Sequence, residues 1–226
     1  MTNSWMYDPE PQPPSKTELA IHRYEDHMED VKRMEAVAKQ CVQEWEARET
    51  VTGDSRADVS LCYLMLRMIC ESMLLASVMV HDVFVSALGK RIISKEYKPK
   101  RIVAAVEKVN PYWYPRSVVL RNTDSSLVDQ SVLWYNEVDV RPPGGWLTQK
   151  EFTRLYSTCG GYLHVCWMEN RSVQAAMEHA ADVCSRLELL LKQHLVTLFD
   201  DVTLVVEMVG PWNGRVAVLD LYSPSE

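Results

Sequence analysis

Within "LYSTCGGYLHVCW", residues 155–167, Cys159, His164 and Cys166 fall inside eight residues and enclose a Gly160-Gly161 pair. Two thiols and an imidazole this close could hold a metal or serve a cysteine nucleophile. Structural zinc takes four tetrahedral donors, usually from two close pairs. The spacing here, C-x4-H-x-C, is no standard knuckle. No second pair stands nearby: Cys41, Cys62, Cys70 and Cys184 are isolated, on apolar faces. No metal and no cofactor are therefore expected, and the cysteines read as small buried hydrophobes. A nucleophilic Cys159 would need a base and an electropositive setting, and the local sequence marks out neither.

His164 remains, together with a second polar feature. Arg67 and Glu71 stand four apart in the otherwise apolar "LRMICESMLLASVMVHDVF", so they share one helix face. An isolated charge there would be costly, and the two should pair. Glycine in a helix interior costs roughly 1 kcal/mol against alanine. Gly160-Gly161 therefore predicts a close approach of another helix backbone, with the apolar helix as its partner. That approach would bring Arg67, Glu71 and His164 into one polar pocket. These three are the candidate catalytic group, and the structural alternative is an ion pair locking the bundle.

A third chemistry is electrostatic. Residues 90–121 carry nine lysines and arginines against Glu96 and Glu107, a net of +7, in a chain whose total is −7. Aromatic residues interleave there. Lys95, Lys98, Lys100, Arg101, Trp113 and Arg116 are the candidate nucleic-acid contacts, since cations beside aromatics suit backbone contact plus base stacking on single strands. The same patch also suits an acidic protein partner, and a solvated helix face with an aromatic plug is the plain alternative.

Helices must position all of these groups. Residues 1–16 hold Pro9, Pro11, Pro13 and Pro14 and read as a flexible arm. Residues 17–226 read as one domain. Thr17 caps a first helix over 18–49, whose apolar residues recur at steps of three and four; Met28, Val31, Cys41 and Trp45 should be buried. "TVTGDSRAD" breaks it, with Asp54, Ser55 or Asp58 as the next cap, and a second helix runs over 58–88, antiparallel to the first. A shorter helix follows Pro99. Residues 111–146 form an irregular, partly β insertion with "SVVLR" and "SVLWYNEVDV" as strands. Thr148 and Glu151 form a capping box. A last long helix spans about 170–198, and a C-terminal β-hairpin occupies about 200–226. The fold class is mainly α: an antiparallel helical bundle with a small β part.

Composition, 47% hydrophobic and 24% charged, is that of a globular protein. The first twenty residues are polar and Pro-rich rather than a leader. A cytoplasmic protein with reduced cysteines is the expectation. The apolar stretch 61–88 carries Arg67, Glu71, His81 and Asp82, so a buried helix is expected there rather than a membrane span.

The same apolar stretch resembles the Arg-x3-Glu helix of HEPN-like helical proteins, and "LTQKEFTRLYSTCGGYLHVCW" resembles their later helix, with a tyrosine and then a histidine near its end. "NPYWYPRSV" and the terminal hairpin look like those of uncharacterised bacterial proteins of this layout. The resemblance covers about residues 58–200. It implies a helical bundle, often dimeric, tied to phage defence or RNA metabolism. Many such proteins are metal-independent ribonucleases with an R-x4-6-H motif. Only His164 matches it here, because residues 156–163 contain no arginine. That departure leans against an enzyme. The expected function is association, as a homodimer or with a protein partner, in bacterial defence, with no membrane contact. The alternative is an RNA-binding protein or a degenerate ribonuclease.

Overall fold

Ser15 starts the first helix. Its hydroxyl accepts from the Glu18 amide at 3.2 Å, and the Glu18 carboxylate accepts from the Ser15 amide at 2.7 Å. This reciprocal box begins α1, Lys16–Glu46, two residues before the cap expected at Thr17. The computed structural model describes residues 13–84, 99–121, 137–142, 144–164, 172–198, 202–209 and 214–221. Most of the proposed arm lies outside them, and its last residue, Lys16, opens the helix. Along α1 Ala20, Tyr24, Met28, Val31, Ala38 and Cys41 are buried at the expected three-four spacing. Trp45 is only half-buried at the helix end.

Asp54 begins α2, Ser55–Phe84, by accepting from the amides of Arg56 at 2.7 Å and Ala57 at 3.2 Å. Asp58, 1% exposed, instead ties down the connection: its carboxylate accepts from the amides of Val51 and Thr52 and from the Thr52 hydroxyl. A connection this short between two long, mutually packed helices makes them antiparallel. The remaining helices are α3 (Pro99–Val109), α4 (Gln149–Tyr162) and α5 (Val173–Leu191). Thr148 and Glu151 form the expected capping box of α4. Ser172 caps α5 through the Ala175 amide.

The strands are β1 (Arg116–Arg121), β2 (Glu137–Val140), β3 (Gln193–Thr197), β4 (Thr203–Glu207) and β5 (Ala217–Leu221). The insertion strands and the C-terminal hairpin are not separate. They form one antiparallel sheet in the order β2-β1-β3-β4-β5. Its central strand, β3, falls where the last helix was expected to continue. That helix stops at Leu191. Beyond it His194, Leu195 and Val196 are all buried, which a strand covered on both faces allows. Alternation sorts the sheet's side chains: Val196, Leu204 and Val206 join the helical core, while Val118, Leu120, Leu195 and Val205 form a second apolar layer.

Candidate functional site

The residues with chemistry gather where α2 meets α4 and α5. Tyr63, Arg67 and Glu71 lie four apart on α2 and so form one line along the helix. Arg67 Nε donates to Glu71 Oε1 at 3.0 Å. Its Nη2 donates to the Tyr156 hydroxyl at 2.9 Å. That hydroxyl donates in turn to Glu71 Oε1 at 3.1 Å, which closes a triangle. The guanidinium carbon sits 4.9 Å from the centre of the Tyr156 ring, within cation–π range. Glu71 stabilises the charged Arg67 and raises its pKa further. Burial, helped by Glu71, raises that of Tyr156. The Arg67 and Glu71 side chains keep 36% and 30% of their exposure, so water screens the pair.

One turn earlier, Tyr63 is fully buried. Its hydroxyl donates to the Ala176 carbonyl at 3.0 Å and lies 2.7 Å from His179 Nδ1. A phenol has one proton. With that proton on Ala176, the imidazole must donate through Nδ1–H, and Nε2 becomes the acceptor on an exposed side chain. Partial burial lowers the His179 pKa, against an opposing pull from Asp182. The Tyr162 ring stacks on Tyr63 at 3.8 Å, while His179 lies almost parallel to Tyr63 at 5°. A neutral imidazole with one nitrogen held and the other open is a competent proton acceptor.

His164 does not join this seam. Helix α4 ends at Tyr162, Leu163 caps it, and His164 follows, exposed. Among the described residues no hydrogen bond or ion pair links it to Arg67 or Glu71; the third member of their group is Tyr156. The glycine pair has a different setting from the one expected. A side chain at Gly160 would meet only Arg67 Nη1, at 3.9 Å, and one at Gly161 would meet nothing within 4 Å. Among the described residues no helix backbone presses on either. Cys159 is fully buried, and burial pushes its thiol up to about 12, so it holds no thiolate at neutral pH. Cys166 lies outside the described residues. Among those described, no three His, Cys, Asp or Glu side chains gather as a metal site.

The nucleic-acid candidates separate. Trp113 is 1% exposed and meets Tyr114 and Phe152 edge-on, so its face cannot receive a base. Arg116 is half-buried and donates to Thr197 Oγ1 at 3.0 Å. Lys95 and Lys98 lie outside the described residues, as does the side chain of Lys100. Arg101 is exposed on α3, and Tyr112 is 64% exposed just beyond it.

A second surface adjoins the seam. Leu64 and Met68 are each 41% exposed, and Leu61, Met65, Leu75 and Met79 are half-buried. Their spacing sets all six on one stripe of α2, of which Leu61 and Met65 also pack against the core. Arg67 and Glu71 border it on the α4 side. Helix Ser55–Val83 is also long and apolar enough to cross a membrane, and half of that window is buried inside the fold.

Sequence reasoning missed Tyr63, Tyr162 and His179. The line Tyr63-Arg67-Glu71 was readable as one face, but nothing local ties His179 to a tyrosine more than a hundred residues earlier. No protein-family model, no curated protein and no solved structure matches this chain.

Proposed function

We propose that the protein works by self-association through the outward face of α2. The carrying observation is that Leu64 and Met68, each 41% exposed, and half-buried Leu75 and Met79 form an apolar stripe on a helix whose opposite face already fills the core. A helix apolar all round is normally covered all round. A second copy suits this face because its polar border is self-complementary. In an antiparallel two-fold pairing centred near Ile69, Arg67 of one copy comes opposite Glu71 of the other, and the exchange occurs twice. The resemblance to HEPN-like proteins enters here only through their non-catalytic, associating members, with bacterial defence as the setting. RNA binding is the second reading, and it rests on exposed Arg101 and Tyr112.

Sedimentation equilibrium at micromolar concentration tests the proposal. The chain should sediment as a dimer, and Leu64→Glu with Met68→Glu should give a monomer of unchanged helicity. A monomeric wild-type chain would remove the reading. Salt-sensitive retention on single-stranded RNA that is lost in Tyr112→Ala with Arg101→Ala would favour the second reading.

A further inference from the structure

Methionines are divided sharply between the inside and the surface of the fold. Met28, Met34, Met73, Met177 and Met208 are buried, none of them more than 9% exposed. Among the described residues the methionines that are not buried are Met65, Met68 and Met79. All three stand on the stripe of α2, and Met68, at 41%, is the most exposed of them. Leucine would give the stripe a similar apolar area, so hydrophobicity alone does not call for thioethers at this face.

A thioether has a chemistry that leucine lacks. Its sulfur takes one oxygen atom from a peroxide and becomes a sulfoxide, which is polar and can be reduced back. The sulfur lone pair forms the S–O bond as the peroxide O–O bond breaks. Sulfur loses two electrons, the peroxide gains them, and the second peroxide oxygen leaves as water. The free cysteines Cys41, Cys62, Cys70, Cys159 and Cys184 are all buried, so a peroxide in solution meets the stripe first. In the two-fold pairing centred near Ile69, Met68 stands one residue from the axis. Both copies therefore place it at the middle of the contact, among the leucines and methionines of the two stripes.

We propose that Met68 is an oxidation site whose sulfoxide switches self-association off. This rests on the pairing through α2 proposed above. A peroxide reaches the sulfur in the separate chain, where it is exposed, and not in the pair, where the second copy covers it. Water donates to the sulfoxide oxygen in the separate chain. Pairing strips that water away, a cost the thioether does not carry. Oxidation thus withdraws chains from the dimer by mass action, and the dimer protects its own methionines. Reduction of the sulfoxide restores pairing.

Hydrogen peroxide on the full chain tests this. Sedimentation before peroxide reads the pairing itself, and a monomeric chain at that stage overturns pairing and switch together. A dimeric chain is then partly oxidised, monomer is separated from dimer by gel filtration, and the sulfoxides in each fraction are mapped by peptide mass. Met68 sulfoxide should be enriched at least about tenfold in the monomer, the effect of one unpaired buried acceptor per copy, with helicity unchanged. Its formation should slow as protein concentration rises. Met68→Gln sets a polar group of similar length there without peroxide and should raise the dimer Kd at least about tenfold. A dimer that retains fully oxidised Met68 would sink the switch and leave the pairing standing. The same holds for sulfoxide shared equally between the fractions, for buried Met177 oxidised as fast as Met68, or for a Kd unmoved by Met68→Gln.

Discussion

Tyr156 holds Arg67 twice: its hydroxyl accepts from Nη2 at 2.9 Å and its ring lies 4.9 Å beneath the guanidinium carbon. The same hydroxyl donates to Glu71, so one side chain aligns both members of the ion pair. This makes Tyr156 the organiser of the seam and fixes where the polar border of the α2 stripe lies.

Tyr156→Phe removes two hydrogen bonds but keeps the ring under the cation. It should cost about 1 kcal/mol, since the groups are partly solvated. Arg67→Ala should cost a similar amount. Because the residues touch, their effects should not add, and a double-mutant cycle in urea should return a coupling of at least about 0.5 kcal/mol. Strict additivity would mean the triangle contributes nothing in solution.

Gly160→Ala and Gly161→Ala address the glycine pair. With 3.9 Å to Arg67 Nη1 at one position and open space at the other, an added methyl meets no obstacle. Each change should leave stability unaltered or raise it, by up to about 1 kcal/mol, through helix propensity alone. A thermal melt in which either variant is clearly less stable would restore the backbone-contact explanation.

Trp113→Ala separates packing from recognition. The indole is 1% exposed between Tyr114 and Phe152, so its loss should cost about 3–5 kcal/mol. Tyr112→Ala, at an exposed neighbour, should cost under about 0.5 kcal/mol. A denaturant series that reversed this order would return Trp113 to the surface and to the list of stacking residues.

What could be read along the chain was local. The Thr148–Glu151 box is a matter of four consecutive residues, and so it was legible. The α1 core face follows from spacing alone. Strand β3 was hidden because Leu195 and Val196 extend the apolar pattern of α5. Only pairing with β1 and β4 makes that segment a strand. His164 drew attention as the histidine beside the cysteines and glycines, whereas His179 gains its role from Tyr63 across the fold. Trp113 carries the same composition signal inside a core as on a nucleic-acid platform. In each case the missing information was tertiary.

Acid stability should report on His194. Its imidazole is fully buried between the Tyr24 hydroxyl, 3.1 Å from Nε2, and the Leu191 carbonyl, 2.8 Å from Nδ1. Burial lowers its pKa to about 4, from an ordinary 6.5. The unfolded chain therefore takes up a proton at a higher pH than the folded one. The neutral ring's contribution is fully present above about pH 6.5. It fades as the pH falls, by up to about 1.4 kcal/mol per unit, and is exhausted near pH 4 after a loss of roughly 3 kcal/mol. His27, His81 and His179, also lowered by burial, pull the same way, while Glu35, raised by burial, pulls the other way. Replacing the ring with His194→Gln removes one titration and leaves the others. Urea midpoints from pH 7 to 4 should thus fall more steeply for the wild type than for the variant. Parallel curves would mean that His194 takes up its proton without opening the fold.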